Sequence, residues 1–166
     1  MIMSTLMNES SVRNKIAAVM DVLADREVAR RDEILGCSPN EIAEIESHVG
    51  HKLPFAYREF LTQMGRGAGE FYVGTDILYP CIVRFNLTQA GRQLVAEDKA
   101  AIALADDAVV FAMHQGYQFL FMRESEGMDP PVYHYMEESG KFEKKADTLS
   151  GFLFDVAHDD WCFRIV

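Results

Sequence analysis

The sequence predicts an α+β fold: a single domain in which helices pack on an antiparallel sheet of about four to six strands. Three observations carry this. Residues 36–69 hold two helical periods with matching start and stop signals. Between residues 108 and 145, short runs rich in β-branched and aromatic residues follow one another across brief polar turns, and the first two read as a hairpin. A capped apolar helix then closes the chain. Its 166 residues are enough for one self-sufficient core.

Taken in order, residues 1–9 are polar and Met-rich and read as a frayed leader. A helix is expected from Ser10 or Ser11, with Val12, Ile16, Val19, Met20 and Leu23 in one stripe, ending near Asp25 or running on to Leu35. The run DREVARRDE, residues 25–33, interleaves four acids with three bases. Arg26, Arg30 and Arg31 therefore read as part of a solvated helical face and not as a nucleic-acid contact. Ser38 suits an N-cap, Pro39 the first helical position, and Glu41 the reciprocal place of a capping box. Ile42, Ile45 and Val49 form the apolar face of this helix, and Gly50 its left-handed stop. After the connector His51-Lys52-Leu53, a second helix starts at Pro54. It carries Tyr57, Phe60, Leu61 and Met64 at helical spacing and is stopped by Gly65 and Gly67.

Phe71-Tyr72-Val73, Ile77-Leu78-Tyr79 and Cys81-Ile82-Val83 read as short strands or irregular extended pieces, the first two split by Gly74-Thr75-Asp76. Asn86 is expected to cap another helix, with Gln89 in the capping-box position and Leu87, Ala90, Leu94 and Val95 turned inward. Residues 108–113 and 117–122 make the hairpin around His114-Gln115-Gly116. Residues 132–136 supply a third strand and 141–145 a fourth. Thr148 caps the closing helix, whose buried side comprises Leu149, Phe152, Leu153 and Val156.

The best-defined stretch supports a family resemblance. Ser38, Glu41, Ile42, Ile45 and Glu46, then Gly50, Leu53, Pro54, Phe55, Tyr57, Arg58, Glu59, Phe60 and Leu61, spell a capped helix with an Ile-x-x-Ile-Glu core. Leu-Pro, an aromatic, Tyr, a charged pair and Phe-Leu follow. This resembles the front end of the SMI1/KNR4 family of the SUKH superfamily, although Met64-Gly65 stands where the family has Asn-Gly. Val109-Val110-Phe111-Ala112, Pro131-Val132-Tyr133-His134-Tyr135 and Leu149-Ser150-Gly151-Phe152-Leu153 resemble its strand, hairpin and closing-helix segments. The resemblance spans roughly residues 33–160. It implies an SMI1/KNR4-like domain over 33–166 with an N-terminal helical extension over 1–32, one globular unit overall. A packing pattern of this kind specifies a fold better than a function.

Composition narrows the function. A net charge of -10 argues against nucleic acid as a direct ligand, because phosphate neutralisation needs clustered Lys and Arg. The same charge favours a basic protein partner. Three widely spaced cysteines, Cys37, Cys81 and Cys162, match neither a zinc site nor a secreted disulfide framework. Without a signal-like N-terminus or an apolar run of membrane-spanning length, the chain reads as cytoplasmic, with no membrane association.

Catalytic arrangements are weakly signalled. Cys81 with His114 and His134 is the most enzyme-like set, since a thiolate nucleophile needs an imidazole base, but no orienting third residue is identifiable. A metal site drawn from His48, His51, His158 or Asp159 is weakly signalled, because Gly50 ends the helix between His48 and His51. The turn Gly65-Arg66-Gly67-Ala68-Gly69 lacks the preceding strand and the Lys-Ser/Thr of a phosphate cradle and reads as a hinge or binding loop. No catalytic residue, metal or cofactor is therefore expected, and the protein is read as a non-enzyme.

From Glu124 to Asp160 there are ten acids against three bases. Tyr133, Tyr135, Phe142, Phe154 and Trp161 are interspersed, and most of these rings are expected in the core. Glu137, Glu138, Asp159, Asp160 and Trp161 are the expected partner-binding residues, an aromatic anchor in an acidic field. Many bacterial members of the superfamily are thought to be immunity proteins that neutralise a toxin, often a nuclease, by binding it. The resemblance thus implies a cognate toxin as partner. The alternative it implies is a regulatory scaffold of the cell-wall and signalling type, as in fungal members. A monomer or weak homodimer is expected, an exposed strand edge being the route to the latter.

Overall fold

The computed structural model describes residues 2–159, with side chains from residue 8 onward. Its elements are α1 (Ile2–Asp25), β1 (Ile34–Leu35), α2 (Pro39–Val49), α3 (Phe55–Met64), β2 (Gly67–Ala68), β3 (Thr75–Asp76) and α4 (Cys81–Arg84), followed by α5 (Leu87–Glu97), β4 (Ala108–His114), β5 (Gln118–Arg123), β6 (Val132–Met136), β7 (Glu143–Ala146) and α6 (Leu149–His158). The expected α+β class holds: β3 to β7 form one five-stranded antiparallel sheet in sequential order, and β1 pairs with β2 in a small ribbon.

The front of the chain departs from expectation in two ways. Helix α1 already runs from Ile2, where a frayed leader was expected. No Gly or Pro interrupts residues 2–9, so nothing in the backbone chemistry stops the helix there. It ends at Asp25, and residues 26–33 are a turn and a single 3₁₀ turn, not a helical face. Their charges do pair at the surface, Arg30 with Asp32 at 3.0 Å and Arg31 with Asp21 at 2.6 Å. Arg26 instead joins two helix ends. Its guanidinium donates to the carbonyls of Ala157 at 2.7 Å and Asp159 at 2.8 Å, tying the end of α1 to the end of α6. Val12, Ile16, Val19 and Leu23 are buried in the common core.

The second and third helices form as their signals demand. Ser38 accepts from the Glu41 amide while the Glu41 carboxylate accepts from the Ser38 amide, the reciprocal box that satisfies two otherwise orphaned N–H groups. Gly50 closes α2 at φ 87°, a backbone conformation that costs glycine little. Tyr57, Phe60, Leu61 and Met64 are buried along α3. The Tyr57 hydroxyl, however, is enclosed without a hydrogen-bond partner.

The middle of the chain holds the larger corrections. The strand forms on Thr75-Asp76, the residues expected to separate two strands, because pairing with Met113 and His114 decides it. Phe71 and Tyr72 instead sit in a buried turn, their rings 4.9 Å apart edge to face, and Cys81–Arg84 is a helical turn. Asn86 precedes α5 with φ 43° and makes no side-chain cap, so the capping box expected there does not form. The chain passes from α4 into α5 without an extended residue, and Asn tolerates the left-handed conformation this requires. The Gly65–Gly69 stretch, expected as a turn or loop, contains a strand. Gly67 belongs to β2, and a Cβ there would lie 2.8 Å from the Glu33 carbonyl, so glycine permits the close pairing with β1.

The sheet itself matches the expected strands closely, and its two faces are clothed differently. On one face, Phe111 packs against Tyr57 of α3 and Phe152 of α6. A register shift between Val110 and Ala112 accompanies this placement of Phe111. On the other face, α5 lies over β4 and β5: the Gly91 backbone approaches so closely that a Cβ would meet Val110 Cγ2 at 2.9 Å. Thr88 Oγ1 accepts from the Val110 amide. Thr148 caps α6 through the Gly151 amide, and Asp129 accepts from the Ser150 amide and hydroxyl beside it.

Candidate functional site

Beyond α5, the α5 face of the sheet is only partly covered. The segment 98–107 crosses it from the end of α5 back to the start of β4, and three attachments hold it there. At one end, the Asp98 carboxylate accepts from the Tyr135 hydroxyl at 2.5 Å and from the Glu138 amide at 2.9 Å. In the middle, Arg92 of α5 donates to the carbonyls of Leu104, Ala105 and Asp106 at 2.8, 2.9 and 3.2 Å. At the other end, Asp107 binds Arg123 at 3.1 Å and the Ser125 amide at 3.0 Å. Burial opposes ionisation of Asp107, but the Ser125 donors and the Arg123 guanidinium outweigh it and hold the carboxyl down at about 2.

Between this segment and the sheet lies a cavity of about 320 Å³, lined by Ala103, Ala105, Phe121, Arg123, Tyr133 and Phe142. Strand alternation puts Phe121 and Tyr133 on this face, and they are register partners across β5 and β6. Their rings stack 5.3 Å apart, with Phe142 edge-on to Phe121 at 4.9 Å. Phe121 is the buried floor, and Tyr133 and Phe142 are half-buried walls. At the mouth, the Tyr133 hydroxyl donates to Glu126 at 2.8 Å. Burial and this carboxylate raise the Tyr133 phenol above its ordinary range.

Of the expected partner-binding residues, the three that are described lie at two places in the fold. Glu137 and Glu138 are exposed at the corner after β6, beside Asp98. Asp159 follows α6, which covers the opposite face of the sheet, and its carbonyl is held by Arg26. Asp160 and Trp161 lie outside the described residues, as does Cys162. Much of the late acidic run is locally neutralised: Glu143 sits between Lys141 at 2.8 Å and Lys145 at 3.2 Å, and Asp147 pairs with Lys144 at 2.5 Å. Among the described residues of that run, Glu124, Glu126, Glu137, Glu138 and Asp155 are exposed and carry no ion pair. Asp98, Arg92 and the 98–107 segment carry no signal in the sequence. Their partners are carbonyls or residues up to 40 positions away, so no local motif marks them.

No hydrogen bond among the described residues joins Cys81 to His114 or His134. Burial and the neighbouring Asp76 carboxylate push the Cys81 thiol up, away from the thiolate a nucleophile requires. His114 Nδ1 lies 2.9 Å from Thr75 Oγ1, and His134 Nε2 lies 2.9 Å from Gln118 Oε1, so neither ring is hydrogen-bonded to Cys81. Burial and Lys145 lower the His134 pKa. The two histidines stand on the strands either side of β5, opposite Gln118 and Leu120 respectively. Of the residues weighed as metal ligands, His48 Nδ1 faces the Glu44 carbonyl at 3.0 Å and His51 Nδ1 the Lys52 carbonyl at 2.9 Å. No group of three His, Cys, Asp or Glu is placed to hold a metal among the described residues. Nor is any described helix long and apolar enough to cross a membrane.

No curated protein is significantly similar to the chain. A family model described as SMI1-KNR4 cell-wall matches residues 39–153, well over half of the sequence. The matched region runs from the first residue of α2 into α6 and includes the whole five-stranded sheet and the segment that crosses it. The chain belongs to the SMI1/KNR4 family of the SUKH superfamily.

Proposed function

We propose that the protein is a non-enzymatic binding domain that acts as a cytoplasmic bacterial immunity protein, binding and occluding a basic cognate toxin, with a nuclease as the expected class. The observation that carries this reading is the charge: -10 over 166 residues, with exposed acids at the β6–β7 corner that no lysine or arginine neutralises. Such a surface raises the rate of encounter with a cationic partner and matches the cleft of a nucleic-acid-binding enzyme. Occlusion needs no catalytic set, in keeping with the raised Cys81 thiol. A regulatory scaffold is the second reading, favoured by the cell-wall description of the matching family.

An affinity capture of the tagged protein from its native host, at low and moderate salt, tests the two. One basic protein, encoded next door, released by salt and toxic when expressed alone, is the expected result. Several acidic or neutral housekeeping partners would replace the immunity reading with the scaffold. Converting Glu137 and Glu138 to Gln is expected to slow association about tenfold at low salt and to flatten its salt dependence, with the melting temperature unchanged. Unaltered association rates in stopped-flow would move the interface off this corner.

A further inference from the structure

We infer that the cavity under the 98–107 segment is the docking site for an arginine side chain of the basic partner. The inference deepens the binding role proposed above and rests on it. Phe121, Tyr133 and Phe142 present ring faces and edges to one small space, and among the described residues no cation of this chain stands over them. Elsewhere the protein places arginines on rings beside carboxylates: Arg13 over Phe55 at 5.6 Å with Glu59, and Arg66 over Tyr79 at 5.6 Å with Glu41. The cavity has the same parts, but its own lining arginine, Arg123, is paired with Asp107 and is not stacked on any of the three rings.

The charges at the mouth select a cation. Arg123 is committed to Asp107 at 3.1 Å and Lys144 to Asp147 at 2.5 Å. Glu126 receives only the Tyr133 hydroxyl, and an ionised carboxylate has room for further N–H donors. One negative charge is therefore left over beside the electron-rich rings, within a chain that carries -10. A guanidinium fits better than an ammonium, because its planar, weakly hydrated surface stacks on Tyr133 while its fork reaches Glu126. Arg92 is the positioning residue, since it holds the wall that carries Ala103 and Ala105.

The test titrates the isotopically labelled full-length protein with a short peptide alternating Arg and Gly, against Lys-Gly and Leu-Gly controls, followed by NMR. The Arg peptide is expected to shift signals of Tyr133, Phe142, Ala103 and Ala105, and the Lys peptide to shift them less. Tyr133→Leu is expected to weaken binding about tenfold, and Glu126→Gln about threefold with a flatter salt dependence. If Tyr133→Leu melts early, the exposed Glu126→Gln carries the test. Shifts centred on Glu137 and Glu138, equal binding of the Leu peptide, or no shift at millimolar peptide would each overturn the inference. So would a captured native basic partner that binds both variants as well as wild type, a result that leaves the immunity reading standing. An Arg peptide that enters the cavity when capture finds no basic protein supports the cavity and removes the immunity reading.

Discussion

The two faces of the five-stranded sheet bury similar kinds of residue to different ends. Under α3 and α6, Tyr57, Phe111 and Phe152 are enclosed in contact with one another. Across the sheet, α5 seals only the ground above β4 and β5, and a connecting segment of small residues covers the remainder. Tyr133 and Phe142 there stay half-buried beside a cavity. The closed face supplies stability, while the open face leaves aromatic area accessible, the kind of surface on which binding energy concentrates in protein interfaces.

Truncation tests this contrast most strongly. Phe111→Ala should cost about 3–5 kcal/mol in urea unfolding, while Phe142→Ala on the open face should cost less than about 2 kcal/mol. Equal losses would mean that both faces are equally packed. Arg92→Ala removes donors from three carbonyls and should cost about 1–2 kcal/mol. Its sharper readout is limited proteolysis, which should cut within residues 98–107 faster than the global loss of stability explains. Tyr57→Phe runs the other way. Deleting a buried hydroxyl that has no partner should raise stability by up to about 1 kcal/mol, and a loss of stability would reveal a bond the hydroxyl makes.

The smallest expected effect is that of pH at the edge of the open face. The Asp107 carboxyl is held at about 2 in the folded protein, below its ordinary unfolded value of about 4. Its contribution is thus fully present above pH ~4 and is lost as pH falls toward ~2. Asp107→Asn should be less stable than wild type near neutrality and should lose less stability over that window, as read from urea midpoints. Parallel curves would show that Arg123 and Ser125 do not stabilise the ionised form.

The elements that were legible in the sequence are those whose causes are local. Ser38 and Glu41 satisfy each other across three residues, Gly50 supplies a left-handed stop, and Thr148 caps α6, so these helix ends could be read directly. Helix spacing likewise marked Ile42, Ile45, Tyr57, Phe60, Leu61, Leu149, Phe152 and Leu153 as buried. Asn86 misled because the same residue type serves as a cap or as a left-handed hinge, and only the arrival of α4 decides between them.

The sequence by itself determined the helix boundaries around residues 38–65, the order of the main strands, the family pattern and the acidic charge. Each of these follows from propensity, periodicity or composition over a few residues. Only the tertiary structure decided that Thr75-Asp76 would be a strand, that Gly67 would pair with β1, that Glu138 would meet Asp98, and that Phe121, Tyr133 and Phe142 would share one cavity. Those outcomes depend on which distant backbone groups and side chains pack together, and no short stretch of chain specifies such partners.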